Sequence, residues 1–168
     1  GARSVGIAGS KEKCKYATDK FQFDHCLNHK SSKFSEELKQ VCSEGIDVYF
    51  ENVGGKVLDS VLPLLNDFAR IPVCGIISTY NSTELPSGPN LIPSLMRNIL
   101  VKRLTFRGFI VWDFANQEKE ALQQLAKWVK QGKLHYLEDI VDGLENAPEA
   151  FIGLFDGKNF GKLVVRVN

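Results

Sequence analysis

The 168 residues carry 21 Lys and Arg against 20 Asp and Glu, a formal net charge of +1, with hydrophobic and charged fractions of 43% and 24%. This is the size and balance of one ordinary globular domain, and it excludes a nucleic-acid binder driven by bulk charge. No apolar run approaches the roughly 18 residues of a membrane-spanning helix, and Gly1-Ala2-Arg3-Ser4 lacks the apolar core of a signal peptide.

The first apolar stretch, Ser4 to Gly9, reads as a strand, and the charged run Lys11 to Lys20 as a helix. A short Cys26-Leu27 strand and a helix over Phe34 to Val41 repeat the alternation, with Phe34, Leu38 and Val41 on one face. A third repeat is the strand Ile46 to Phe50, the Gly54-Gly55 turn and the helical run Val57 to Leu62. Arg70 to Ile76 is a further strand. A Pro-, Ser- and Asn-rich loop from Ser78 to Pro93 precedes a helix over Ser94 to Leu100 and a strand over Leu104 to Val111; a loop of that length points to function. Glu118 to Gln131 is an amphipathic helix stopped by Gly132. The tail holds a strand near Tyr136 to Val141, a helix opened by Asn146-Ala147-Pro148-Glu149 in capping-box order, and a closing strand Leu163 to Val167. Branched strands alternating with helices predict an α/β fold with a doubly wound parallel sheet.

Four cysteines, Cys14, Cys26, Cys42 and Cys74, lie far apart in a chain large enough to do without disulfides, which points to a reducing, cytoplasmic setting. Of the imaginable zinc set Cys14, His25, Cys26 and His29, Cys26-His29 supplies only half of a knuckle and no second half has matching spacing, so no metal site is expected. The only methionine is Met96, so the chain is expected to be a fragment unless an initiator was trimmed.

A dinucleotide-binding βαβ unit opens with a glycine-rich phosphate loop, and the end of its second strand faces the adenosine ribose. No G-x-G-x-x-G opens this chain; its first strand has the features of that second strand. An NAD enzyme places a carboxylate there, but here Ala8-Gly9-Ser10 is followed by Lys11 and Lys13. The lysines read either as partners of a 2′-phosphate or as the solvated first turn of a helix. Their opposition to the helix macrodipole leans toward the phosphate. Asn52 reads either as a ligand-edge residue or as part of the Gly54-Gly55 turn. Cys74-Gly75 and Ser78-Thr79-Tyr80-Asn81 reach the same sheet edge, and the convergence is a stronger signal than any one of them. Cys74 itself reads as a packing residue. No nucleophilic triad is present, and His25, His29 and His135 stand apart, but hydride transfer needs no such constellation.

The blocks Glu51-Asn52-Val53-Gly54-Gly55, Arg70 to Asn81, Trp128 to Lys133, Gly143 to Pro148 and Gly157 to Lys162 closely resemble the zinc-independent medium-chain dehydrogenases/reductases. They are most similar to the prostaglandin reductase/alkenal reductase branch and, within it, to bacterial NADPH-dependent curcumin reductases. The resemblance implies a Rossmann-like fold truncated at its N-terminus, without the first strand and glycine loop. Residues 1–135 would form the incomplete NADP-binding domain and 136–168 the return segment of a GroES-like catalytic domain.

It further implies NADP(H) as cofactor. Lys13 would meet the 2′-phosphate, and His29 would replace a family tyrosine beside the adenosine. Asn52 would hold the ribose region, and Cys74, Gly75, Ile76, Ile77, Ser78, Thr79 and Tyr80 would line the nicotinamide half. Phe109, Ile110 and Val111 would line the nicotinamide pocket, Asn159 would reach the cofactor from the tail, and Tyr80 would stand near the substrate carbonyl. The implied activity is reduction of the carbon-carbon double bond of enones and enals by a cytoplasmic homodimer, the fragment alone being inactive. Two readings compete with it: a non-catalytic NADPH-binding or sensor protein of the same fold, and a short α/β protein that binds no dinucleotide.

Overall fold

The computed structural model describes residues 1–84 and 90–167. In chain order the elements are β1 (Val5–Ala8), α1 (Lys11–Asp19), β2 (His25–Asn28), α2 (Phe34–Val41), β3 (Ile46–Val48), α3 (Gly55–Val61), β4 (Leu65–Val73), α4 (Ile92–Lys102), β5 (Thr105–Gly108), α5 (Glu118–Lys130), β6 (Glu138–Asp142), α6 (Ala147–Phe155) and β7 (Lys162–Arg166). Every strand pairing among the described residues is parallel: β1 with β2, β3 with β4 and β4 with β5, and β6 with β7. The α/β expectation therefore holds. The pairings form three groups, β1-β2, β3-β4-β5 and β6-β7.

Two compact units result, Gly1–Ser31 with Asn116–Asn168, and Ser32–Ala115. In the first, β1 and β2 pair in register from Val5↔His25 to Ala8↔Asn28. Ser10 starts α1 by accepting a hydrogen bond from the Lys13 amide at 3.2 Å, which satisfies an amide the helix leaves free. Asp24 accepts from the Ser4 amide and hydroxyl at 2.6 and 3.0 Å, and these bonds hold its carboxyl below the usual range. β6 and β7 each alternate exposed and half-buried residues, as expected for strands with one covered face. The capping box expected at Asn146 does not form. A 3-10 turn, Leu144–Asn146, precedes α6, leaving Asn146 in a helical conformation with its side-chain Nδ2 donating to the Asp142 carbonyl at 2.8 Å.

Among the described residues, the second unit holds nearly all of the buried apolar ones. Phe34 and Leu38 of α2, Val57 and Val61 of α3, Leu65, Ala69 and Ile71 of β4, and Leu104 meet between helices and sheet. β4 begins at Leu65, five residues earlier than expected. Asn66-Asp67-Phe68 forms a bulge: the pairing jumps from Ile46↔Leu65 to Val48↔Arg70, and Phe68 has φ 63°. Asn66 donates to the Glu44 carbonyl at 3.1 Å and to Asp47 at 2.9 Å, while Arg103 pairs with Asp67 and stacks 4.5 Å over the Phe68 ring. β5 ends at Gly108, so Phe109, Ile110 and Val111 follow the strand instead of completing it. Of the expected long loop, residues 85–89 lie outside the described residues.

Candidate functional site

In the second unit, the carboxyl ends of β3 and β4 are zipped into one edge. Glu51 donates its amide to the Pro72 carbonyl at 2.9 Å, and its own carbonyl accepts from Cys74 and Gly75 at 2.9 and 3.3 Å. The next residues continue the lacing: Ile77 donates to the Asn52 carbonyl at 3.3 Å and Ser78 to that of Val53 at 3.0 Å. Asn52 and the segment Cys74 to Tyr80, weak as separate signals in sequence, are thus brought together.

Gly75 lies at the centre of this edge. A Cβ on it would stand 2.8 Å from Asn52 Oδ1 and 3.0 Å from the Tyr80 hydroxyl, so an amide and a phenol converge on the same point. The Tyr80 hydroxyl also accepts from the Ile76 amide at 3.4 Å, and its ring is largely exposed. Thr79 turns inward, its hydroxyl donating to the Ile76 carbonyl at 2.9 Å. The Ser78 hydroxyl faces Gly54 and Gly55, whose φ values of 75° and 54° suit glycine. Cys74, Ile76 and Ile77 are exposed. Phe109 stacks edge-on between Phe50 and Phe114, with ring centroids 6.1 and 5.9 Å away. Ile110 and Val111 are exposed at the start of a 3-10 turn, where Asp113 accepts from the Ile110 amide at 3.1 Å.

Glu51 is the residue that sequence reasoning missed at this edge. It is only 2% exposed, and its Oε1 accepts from the Val53 amide at 2.6 Å, the Gly54 amide at 2.8 Å and the Tyr49 hydroxyl at 3.3 Å. Burial, then the neighbouring Glu51 charge, pushes the Tyr49 phenol well above its usual range, so the hydroxyl stays a donor. A carboxylate two and three residues ahead of Val53 and Gly54 was the available signal.

The other candidates, Lys13, His29 and Asn159, belong to the first unit. The His29 amide continues the β1-β2 ladder by donating to the Ala8 carbonyl at 3.0 Å. A Cβ on Gly9 would lie 3.4 Å from His29 Nε2, 3.7 Å from Lys30 Cε and 3.9 Å from Lys30 Nζ. Lys30 therefore joins His29 beside the carboxylate-free strand end, a role visible only once β2 is known to lie alongside β1. Partial desolvation, then the Lys30 charge, lowers the His29 pKa from 6.5. The Lys13 ammonium donates to the Gly157 carbonyl at 2.6 Å. Asn159 donates to the Gly161 carbonyl at 2.7 Å and borders an open cleft with Asp139, Glu149 and Lys158. Among the described residues no group of three His, Cys, Asp or Glu side chains could hold a metal ion, and no helix is long and apolar enough to cross a membrane.

The sequence model of the family described as zinc-binding dehydrogenase matches residues 1–129. The chain belongs to that family. It is 55% identical over 168 residues to the NADPH-dependent curcumin reductase of Escherichia coli (strain K12), a match spanning 99% of this chain and 49% of the relative. With the 2-alkenal reductase (NADP(+)-dependent) of Nicotiana tabacum it shares 43% identity over 100% of this chain and 48% of the relative. Among solved structures, the crystal structure of CurA in complex with NADPH from Vibrio vulnificus superposes with a TM-score of 0.95 at 54% identity, over 99% of this chain and 50% of that one. The chain thus spans about half the length of the curated relatives it matches.

Proposed function

We propose that the protein carrying this chain is an NADPH-dependent reductase of the carbon-carbon double bond of α,β-unsaturated ketones and aldehydes. The observation that carries the reading is the convergence of Asn52 Oδ1 and the Tyr80 hydroxyl on Gly75, at the carboxyl edge where doubly wound folds bind ligands. Relatives named curcumin reductase and 2-alkenal reductase support it.

The residues present fit the cofactor. The strand end Ala8-Gly9-Ser10 carries no carboxylate, and Lys30 and His29 border Gly9, chemistry that suits a 2′-phosphate over a free ribose hydroxyl. Lys13 would join them, Asn52 and residues 74–80 would hold the ribose and nicotinamide half, Phe109, Ile110 and Val111 would border the nicotinamide, and Asn159 would reach the cofactor from the tail. When bound, NADPH supplies the hydride for the β-carbon of the enone. Tyr80 donates a hydrogen bond to the substrate carbonyl oxygen, which gains negative charge as the transition state is approached, and the enolate then takes a proton from water at the α-carbon.

Residues 1–135 serve the cofactor in this reading, and 136–168 return to the substrate domain. The protein acts as a cytoplasmic homodimer on a small-molecule substrate. It acts without zinc, so dialysis against a chelator leaves turnover unchanged.

Tyr80→Phe in the whole protein tests the reading. It is expected to lower kcat for an enone about 10- to 100-fold, the loss of one hydrogen bond made in the transition state, while NADPH affinity holds. A wild-type kcat would reduce Tyr80 to a packing residue. NADPH binding without turnover of any enone would favour the non-catalytic reading.

A further inference from the structure

We propose that Glu51 is a positioning residue whose buried carboxylate fixes Asn52 against Gly75 and so sets cofactor affinity. The inference rests on the reading of Asn52 as a residue that holds NADPH.

A carboxylate that is 2% exposed is expensive unless donors surround it. Here three donors converge on Oε1, while Oε2 finds no hydrogen-bond partner among the described residues. Glu51 also makes no ion pair there; it is held by dipoles alone. A side chain needed only to fill space at this position would leave no oxygen without a bond, since an apolar group of similar shape avoids that penalty.

The carboxylate's geometry indicates what it does. Its bonds to the Val53 and Gly54 amides close a ring around Asn52, whose carbonyl is pinned from the other side by Ile77. With the backbone gripped on both flanks, Asn52 Oδ1 is delivered to a point 2.8 Å from where a Gly75 Cβ would sit. A displacement of even about 1 Å in such a group is enough to matter for ligand binding and reaction. Tyr49 completes the device by supplying the third donor to the same oxygen.

The test is a double-mutant cycle in the whole protein, read by equilibrium NADPH titration and by thermal melting. Glu51→Gln keeps the shape and removes the charge that strengthens the two amide bonds. It is expected to raise the NADPH Kd by about 5- to 20-fold with Tm lowered by no more than about 3 °C. Asn52→Ala should weaken NADPH comparably, and the double variant should bind within about twofold of Asn52→Ala alone, because both act through one group. Additive losses, or a wild-type Kd for Glu51→Gln beside a weakened Asn52→Ala, overturn this inference and leave the reading of Asn52 standing. A wild-type Kd for Asn52→Ala overturns that reading and the inference with it. Tyr49→Phe keeps the carboxylate and its amide bonds, and so stays informative if Glu51→Gln does not fold. It is expected to raise Kd by about twofold, an effect lost in the Asn52→Ala background; an unchanged Kd overturns the inference.

Discussion

The Lys13 ammonium donates to the Gly157 carbonyl at 2.6 Å, tying the first turn of α1 to the loop that follows α6. The Tyr16 and Phe160 rings, edge-on at 5.4 Å, reinforce the same junction. A cation proposed to meet the cofactor is thus already oriented by the tail. Lys13→Ala is expected to weaken NADPH by about 1–3 kcal/mol, the loss of a charge-assisted bond, and NADH far less. Parallel titrations with the two cofactors decide it, since equal losses would mean that Lys13 does not read the 2′-phosphate.

Gly75 offers a sharper steric test. An alanine methyl would press on Asn52 Oδ1 and the Tyr80 hydroxyl, side-chain ends that can be pushed aside by rotation while the Asn52 backbone stays held, and the nearest backbone atom, the Asn52 carbonyl oxygen, is 3.6 Å off. Gly75→Ala should therefore cost no more than about 1 kcal/mol of stability yet lower kcat/KM for an enone by about tenfold or more. Thermal melts beside steady-state kinetics separate the two effects; a fully active Gly75→Ala protein would mean that the convergence on Gly75 has no part in the reaction.

Much of this architecture is legible in the sequence, for reasons that vary by element. The bounds of α2 match expectation because Phe34 and Leu38 lie buried on one face of a short, clearly periodic helix. The start of β4 is hidden because Asn66-Asp67 has turn chemistry, and only the bulge, with Arg103 covering Phe68, makes it part of a strand. β5 stops at Gly108, with Phe109 giving a last amide to the Val73 carbonyl at 3.3 Å, and an apolar run does not record where such a ladder ends. Asn52 and Tyr80 could be placed at a common edge by counting strands. Lys30 could not, since its importance depends on the register of β2 against β1. The Glu51 carboxylate escaped notice because burial, which makes it unusual, is invisible until the β3-β4 edge is assembled.

His29 should leave a mark on the pH dependence of stability. Its pKa in the folded chain lies below 6.5, so the unfolded chain binds a proton there more readily. Stability from this group is therefore present above 6.5 and lost as pH falls from there toward the folded value. His29→Gln is expected to flatten that part of the Tm profile between about pH 7.5 and about pH 5.5. A variant whose Tm falls as steeply as the wild type would assign the acid sensitivity elsewhere.

β5 ends the three-stranded sheet, and Leu100, Val101, Ile110 and Trp112 near it are exposed. Pairing of that edge with its two-fold mate would cover it. Light scattering of the whole protein at about micromolar concentration should give the mass of a dimer. Because the Phe109 amide donates to Val73 of β4, the Gly108 amide faces the free edge, and Gly108→Pro, which removes it, should shift the mass toward monomer. A monodisperse monomer for the unaltered protein would argue against this assembly.

The proposed chemistry is tested most directly by the fate of the transferred hydride. Whole protein incubated with an open-chain enone and NADPH deuterated at its transferable position should yield the saturated ketone, with deuterium on the former β-carbon as read by NMR. Deuterium on the carbinol carbon of an allylic alcohol, or NADPH left unconsumed, would contradict the account.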